Sequence, residues 1–269
     1  MKKYEDGIDF ILVSFYRFDY IKILIDSIKK YVKGIDYTVH VINNGKNNGD
    51  GNGYDVLKEM FSDNPNVKIH KGIDQDEDSN SEHYNDYICK IDGRQVSIGS
   101  YTQAKAMKMA IKKGNRKYLS YIDCDLIFLN EWVEDILPLL EEPYNHFFVS
   151  HMWRQDLTMD AQQFVTLKRE SIENNYLNEP EDIYPNIHYK DTGGMLSYYA
   201  MKKDLPFVIL QNSFQDKTLT SEHLMDLPHG QQSWINGKPI VYHYGHGSTR
   251  EDEKYQLWID ETTKYLGEN

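Results

Sequence analysis

Short apolar runs and helical apolar stripes alternate through the first half of the chain. IDFILVSF (8–15) is a continuous apolar run, as expected of a strand buried on both faces. Ile21, Leu24, Ile25, Ile28, Tyr31 and Val32 then fall on one face at helical spacing, with Lys29, Lys30 and Lys33 crowding the last turn and Gly34 as a stop. YTVHVI (37–42) predicts a second strand, NNGKNNGDGNG (43–53) a glycine- and asparagine-rich loop, Tyr54–Phe61 a short helix and NVKIHKG (66–72) a strand. SYTQAKAMKMAIKKG (100–114) carries an N-cap serine, strong helix formers, lysines in its last turn and a closing glycine. YLSYIDCD is the next strand. This alternation predicts an α/β fold with a mostly parallel central sheet flanked by helices.

The second half is less regular. FFVSHMW (147–153), MLSYYAM (195–201) and PIVYHYG (239–245) read as strands, and EDEKYQLWIDETTKYL (251–266) as a terminal amphipathic helix. Arg154 to Asp191 is a long polar stretch with weak helical signal. No internal repeat or low-complexity linker interrupts the chain, so its 269 residues read as a single domain.

Charge and cysteines narrow the function classes. A net charge of −12 disfavours nucleic acid and anionic membrane as partners. No apolar run approaches the ~18 residues of a membrane helix. Glu5, Asp6 and Asp9 break any signal-peptide pattern near the N-terminus. Cys89 and Cys124 form neither a disulfide framework nor a CxxC pair. A soluble, cytoplasmic protein is the expectation.

The candidate chemistry begins in YLSYIDCDLIF (118–128), where Asp123 and Asp125 close an apolar, aromatic run. Burying carboxylates costs several kcal/mol unless something compensates. In open α/β sheets ligands sit beyond the carboxyl ends of strands, and residues i and i+2 of a strand share a side. Two carboxylates so placed can share a divalent cation, and that cation a diphosphate. The bland alternative is acid decorating the start of a helix near Asn130. Two further DxD pairs, Asp74/Asp76 and Asp76/Asp78, lie in the acidic segment DQDEDSNSEHYND (74–86), which reads as a solvated loop. NGDGNGYDVLKE (48–59) nearly fits a calcium loop through Asp50, Asn52, Gly53 and Glu59. Asn48 replaces the usual first aspartate, however, and a strand rather than a helix precedes it.

Strand, helix, strand, asparagine-rich loop and then YLSYIDCD resembles the GT-A glycosyltransferase fold, and family 2 in particular. The match covers roughly residues 8–250, motif by motif. The resemblance implies that Asp123 and Asp125 hold Mn²⁺ or Mg²⁺ on the diphosphate of a nucleotide-sugar, with Cys124 between them at the donor. It implies a nucleotide-sugar-binding half at 8–125, an acceptor half at 126–250 and a C-terminal helix at 251–269. MDLPHGQQSWINGKPIVYHYGHGST (225–249) follows the family layout of acidic pair, short helix, glycine, strand and histidine. A late histidine completes the metal site in such enzymes. HYGHGSTR also resembles the segment of polypeptide N-acetylgalactosaminyltransferases in which the histidine after glycine is the ligand, which favours His246 over His243. An imidazole beside carboxylates suits Mn²⁺ better than Mg²⁺.

The remaining positions follow the same resemblance. Ser14, Phe15 and Arg17 occupy the first nucleotide loop. Asn43 or Asn44 stands where the family carries a base-contacting aspartate, which leaves base preference open. Gln103 opens the helix before the DxD and is expected at the base or ribose. Asp226, or else Glu222, is the expected base for an inverting transfer, although Met225 and Pro228 depart from the family pattern. Trp153 and Arg154 are acceptor candidates, and Asp191, Gly193 and Gly194 are expected to pass beneath the donor sugar. The implied activity is transfer of a sugar from a nucleotide diphosphate sugar, UDP-sugar by expectation, to a glycan or other hydroxyl acceptor with inversion. Two alternatives stand beside it: a sugar nucleotidyltransferase, which usually carries a glycine-rich basic loop that SFYRFDY is not, and a non-catalytic glycan- or calcium-binding protein.

Overall fold

Strand β1 (Glu5–Ser14) holds the centre of the fold because nearly every side chain past Asp6 is buried on one face or the other. The computed structural model describes residues 4–14, 18–44, 53–72, 88–91, 94–97, 103, 106–107, 109–152, 162–172, 196, 200–201, 203–213, 230–244 and 253–268. After β1 come α1 (Phe18–Tyr31), β2 (Tyr37–Asn43), α2 (Gly53–Met60), β3 (Val67–Lys71), β4 (Ile88–Ile91), β5 (Arg94–Ser97), β6 (Arg116–Ile122) and β7 (Leu126–Phe128). They are followed by α3 (Val133–Leu140), β8 (Phe148–Met152), β9 (Gln162–Lys168), β10 (Val208–Ile209), β11 (Gln211–Asn212), β12 (Gln231–Ile235), β13 (Lys238–His243) and α4 (Glu253–Glu268).

The large sheet has seven strands in the order β10-β8-β9-β6-β1-β2-β3. β1 pairs in parallel with β2 and β6, β2 with β3, and β8 with β10; only β9 runs against its neighbours. The chain winds from β1 outward through β2 and β3, then returns to the other side of β1 with β6. This reversal is the topological switch point, where α/β sheets open a ligand crevice. A second sheet of four strands has the order β11-β12-β13-β7, and β4 and β5 form a separate pair. Leu126 and Phe128 of β7, Val241 of β13, Phe10 of β1 and Phe164 of β9 belong to one buried cluster, so the two larger sheets share a core. Trp132 stacks on Phe128 with ring centres 5.2 Å apart, and Phe10 and Phe164 meet it edge-on.

α1 forms where its apolar stripe requires it, with Asp19 in the first turn and Lys29 and Lys30 in the last complementing the helix dipole. Ser27 Oγ accepts from Phe128 N at 3.1 Å, which locks α1 to β7. Lys30 Nζ donates to Leu266 O, and Tyr265 Oη to Leu129 O, so α4 is held against α1 and the end of β7.

Four expectations change. The weakly helical stretch 154–191 contains β9, inserted antiparallel between β6 and β8. Its polar Thr166 is satisfied inside the sheet by Ser120 Oγ at 3.0 Å, which disguised a buried strand as a polar segment. MLSYYAM is helical at Leu196, Ala200 and Met201; Leu196 and Ala200, one helical turn apart, are both fully buried. The short helix expected before Gly237 is strand β12, half of a hairpin with β13. YLSYIDCD is a strand only as far as Ile122. Asp123 and Asp125 therefore lie in the turn from β6 to β7, and the turn, rather than strand alternation, sets their relative position.

Candidate metal and nucleotide site

The turn at Asp123–Asp125 carries the chain from the large sheet to the small one. Asp123 N donates to Gln163 O of β9 at 2.8 Å, and Tyr244 N, just past β13, donates to Asp125 O at 2.9 Å. Each end of the turn is thus fixed to a different sheet. β13 pairs with β7 through His243↔Leu126, which delivers the His243 side chain to the aspartates. His243 Nε2 lies 3.2 Å from Asp125 Oδ1 and 3.9 Å from Asp123 Oδ2. One ligand atom from each of the three residues falls within 4.8 Å of the others. Two carboxylates and an imidazole on that scale fit a divalent cation, and the mixed oxygen and nitrogen set fits Mn²⁺.

The electrostatics agree with the donor set. Burial pushes the His243 imidazole down, but the Asp125 carboxylate, its hydrogen bond and Asp123 outweigh burial and hold it above its ordinary value. The site therefore favours positive charge. Asp125 is buried, whereas the Asp123 side chain keeps about a third of its surface exposed (32%). Gln103 Nε2 donates to Asp123 Oδ1 at 3.2 Å. Expected at the base or ribose, Gln103 thus bonds the first carboxylate of the pair. Burial and the two flanking carboxylates push the Cys124 thiol well up.

On the neighbouring strands, Ser14 and Asn43 pair in register at the carboxyl ends of β1 and β2. Asn44 N donates to Ser14 O at 2.9 Å, and Gly72 N to Asn43 O at 2.9 Å. A Cβ at Gly72 would come within 2.0 Å of Asn44 Oδ1, so glycine is what lets the end of β3 close on the asparagines. All three side chains are buried, and neither Ser14 Oγ nor Asn43 Oδ1 has a hydrogen-bond partner among the described residues. Ile11↔Tyr121 puts β6 beside β1, so Asp123 emerges at the same sheet end as Ser14 and Asn43. Phe15, Arg17, Trp153, Arg154, Asp191, Gly193, Gly194, Glu222, Asp226 and His246 lie outside the described residues, as do Asn48, Asp50 and Asn52 of the near-calcium loop. Of the two late histidines, His243 is the one seen at the aspartates.

Two buried histidines were not singled out by sequence reasoning. His40 bridges Asp9 Oδ1 at 3.1 Å and His70 Nε2 at 3.0 Å. His151, on β8, hydrogen-bonds Ser233 Oγ of β12 and lies beside His243, with ring centres 5.7 Å apart. Burial, with His243 adding to it, pushes His151 well below its ordinary value, so its ring is neutral. The available signal was a polar ring inside an apolar strand run, which needs a partner wherever it is buried.

No family model matches the chain, and no curated protein matches it. Among solved structures it is similar to the galactosyltransferase LgtC in complex with donor and acceptor sugar analogues, with a TM-score of 0.57 and 11% identity over 96% of this chain and 95% of that one. An active-site mutant of LgtC gives a TM-score of 0.51 and 10% identity over the same shares, 96% and 95%. The mannosyltransferase PcManGT from Pyrobaculum calidifontis, in complex with GDP-Man and Mn²⁺, gives a TM-score of 0.50 and 14% identity over 77% of this chain. This chain spans 55% of that protein's length. At such identities the likeness is one of fold: the chain has the GT-A fold, with a three-residue candidate cation site where β6 leaves the central sheet.

Proposed function

We propose that the chain is a metal-dependent glycosyltransferase that moves a sugar from a nucleotide diphosphate sugar to a hydroxyl acceptor. The observation that carries this reading is the convergence of Asp123, Asp125 and His243 at the carboxyl end of β6, beside the switch point of a GT-A sheet. Asp125 and His243 are buried and preset, Asp123 is partly exposed, and Gln103 limits the rotation of Asp123. When bound there, a divalent cation would neutralise the charge on a leaving diphosphate.

The protein side follows from position. Ser14, Asn43 and Asn44 sit one and two strands from Asp123 and are the candidates for ribose and base, with Phe15 and Arg17 assigned beside them on the sequence resemblance. Asn43 offers an amide where a carboxylate would only accept, so it can pair with donor or acceptor edges of a base. UDP-sugar is the proposed donor, Mn²⁺ the proposed cation, and inversion the proposed outcome, with Asp226 or Glu222 taking the acceptor proton. Trp153, Arg154, Asp191, Gly193 and Gly194 are assigned to the acceptor and sugar on the sequence resemblance. The halves at 8–125 and 126–250 would then serve donor and acceptor, with 251–269 as a buttressing helix. No helix among the described residues is long and apolar enough to cross a membrane.

Calorimetric titration with UDP, GDP and CDP, each with and without Mn²⁺, tests this. One nucleotide should bind only with metal, and Asp125→Asn should abolish that binding while the protein remains folded. Binding of none under any condition would overturn the transferase reading and leave a non-catalytic role.

A further inference from the structure

The ring of His151 is fully buried and meets that of His243 at an interplanar angle of 66° with centres 5.7 Å apart. Its Nδ1 is taken by Ser233 Oγ. Its Nε2 has no hydrogen-bond partner among the described residues, and neither has His243 Nδ1. A buried polar group without a partner is destabilising. Two such nitrogens on adjacent rings can satisfy each other only if one donates and the other accepts.

A cation bound at His243 Nε2 would set the tautomers of both rings. A histidine that offers Nε2 to a cation must carry its proton on Nδ1, and that N–H needs an acceptor to hold the ring's rotation. A His151 that donates Nδ1–H to Ser233 Oγ leaves an Nε2 lone pair, which is such an acceptor. The opposite assignment puts N–H groups on the wrong nitrogens of both rings and would remove the lone pair from the cation site. The ring centres stand 5.7 Å apart, against 5.2 Å for His40 and His70, whose nitrogens bond directly at 3.0 Å, so a small turn of either ring is enough to close the pair.

We infer that His151 is a positioning residue of the metal site: its Nε2 accepts from His243 Nδ1–H when a cation is bound and fixes the His243 Nε2 lone pair toward Asp123 and Asp125. The relay runs Ser233–His151–His243 and ties the orientation of a metal ligand to the contact between the two sheets. It rests on the proposed metal site.

Nucleotide-free Mn²⁺ affinity, read from the free-ion electron paramagnetic resonance signal, tests it together with thermal melting of metal-free protein. His151→Phe removes the acceptor at similar shape and should weaken Mn²⁺ at least tenfold in a protein that still melts cooperatively without metal. His151→Gln restores an acceptor and should recover most of the affinity. If His151→Phe does not fold, Ser233→Ala serves instead, with a several-fold loss expected. Nitrogen-15 NMR of the wild type loaded with diamagnetic Mg²⁺ should also show His243 as the Nδ1–H tautomer with a slowly exchanging proton. Wild-type Mn²⁺ affinity in a folded His151→Phe, or in Ser233→Ala where that variant does not fold, or an Nε2–H tautomer of His243 in the Mg²⁺-loaded protein, would overturn this inference alone. A wild type that binds no Mn²⁺ would overturn the metal site and this inference with it.

Discussion

Asp9 is a buried carboxylate held by three side-chain and backbone groups of other strands and turns. Its Oδ2 accepts from Arg116 N at 2.8 Å and from Arg169 Nη2 at 2.5 Å, and its Oδ1 faces His40 Nε2 at 3.1 Å. Burial alone would raise its pKa, but the His40 hydrogen bond, the Arg116 N–H and the charges of His40 and Arg169 outweigh burial and hold it below the usual carboxylate value. Arg169 is itself buried and also donates to Arg116 O and Ile111 O, both at 2.7 Å. Asp9→Asn would leave that guanidinium in the core without its counter-charge. A loss of about 3–5 kcal/mol is expected, measured by urea denaturation at neutral pH. A loss below about 1 kcal/mol would mean that the network is solvated.

The hairpin β12–β13 is the element on which the candidate site depends, because it delivers His243. Its turn places Asn236 at φ 51° and Gly237 at φ 74°, two successive left-handed residues as a two-residue hairpin loop requires. A Cβ at Gly237 would meet nothing within 4 Å, so a substitution there is felt only by the backbone. Gly237→Ala should therefore cost about 1–2 kcal/mol from φ alone. Asn236→Gly should be near neutral. Thermal melting of the two variants side by side checks both; equal losses would show that the turn side chain, rather than φ, is what matters.

At the scale of the molecule, acid should open the large sheet from its edge. His70 lies on β3, the terminal strand, and burial, with the charges of His40, Lys113 and Lys68 adding to it, pushes it down to about 4 from 6.5. The unfolded chain takes this proton below about pH 6.5, whereas the folded chain resists until about pH 4. The contribution is thus complete above pH 6.5 and is lost as pH falls toward 4. Asp9, with its lowered value, acts in the same direction at lower pH. His70→Gln keeps a hydrogen-bonding partner for His40 and removes the titration. Its urea midpoint should vary less than that of the wild type between pH 6.5 and 4. An unchanged slope would assign the acid sensitivity to other groups.

The amino-acid sequence by itself determined the strands in which an apolar run dominates, β1, β2 and β6, and the helix whose stripe is unambiguous, α1. Local hydrophobic period is enough to specify such elements. It also exposed Asp123 and Asp125, because two carboxylates after an apolar strand are chemically out of place. It could not determine β9 or β12, since QQFVTLK and QQSWI bury polar side chains whose partners come from distant strands. Nor could it choose between strand and helix for MLSYYAM, whose short apolar run fits both periods. Tertiary structure alone decided that the aspartates occupy the turn between two sheets, that Gln103 bonds Asp123, and that His243 rather than His151 or His40 faces the carboxylates. Each of those contacts joins residues at least 20 positions apart. The physical reason is that a chemical site is a matter of distances between side chains, and chain folding sets those distances where local period does not reach.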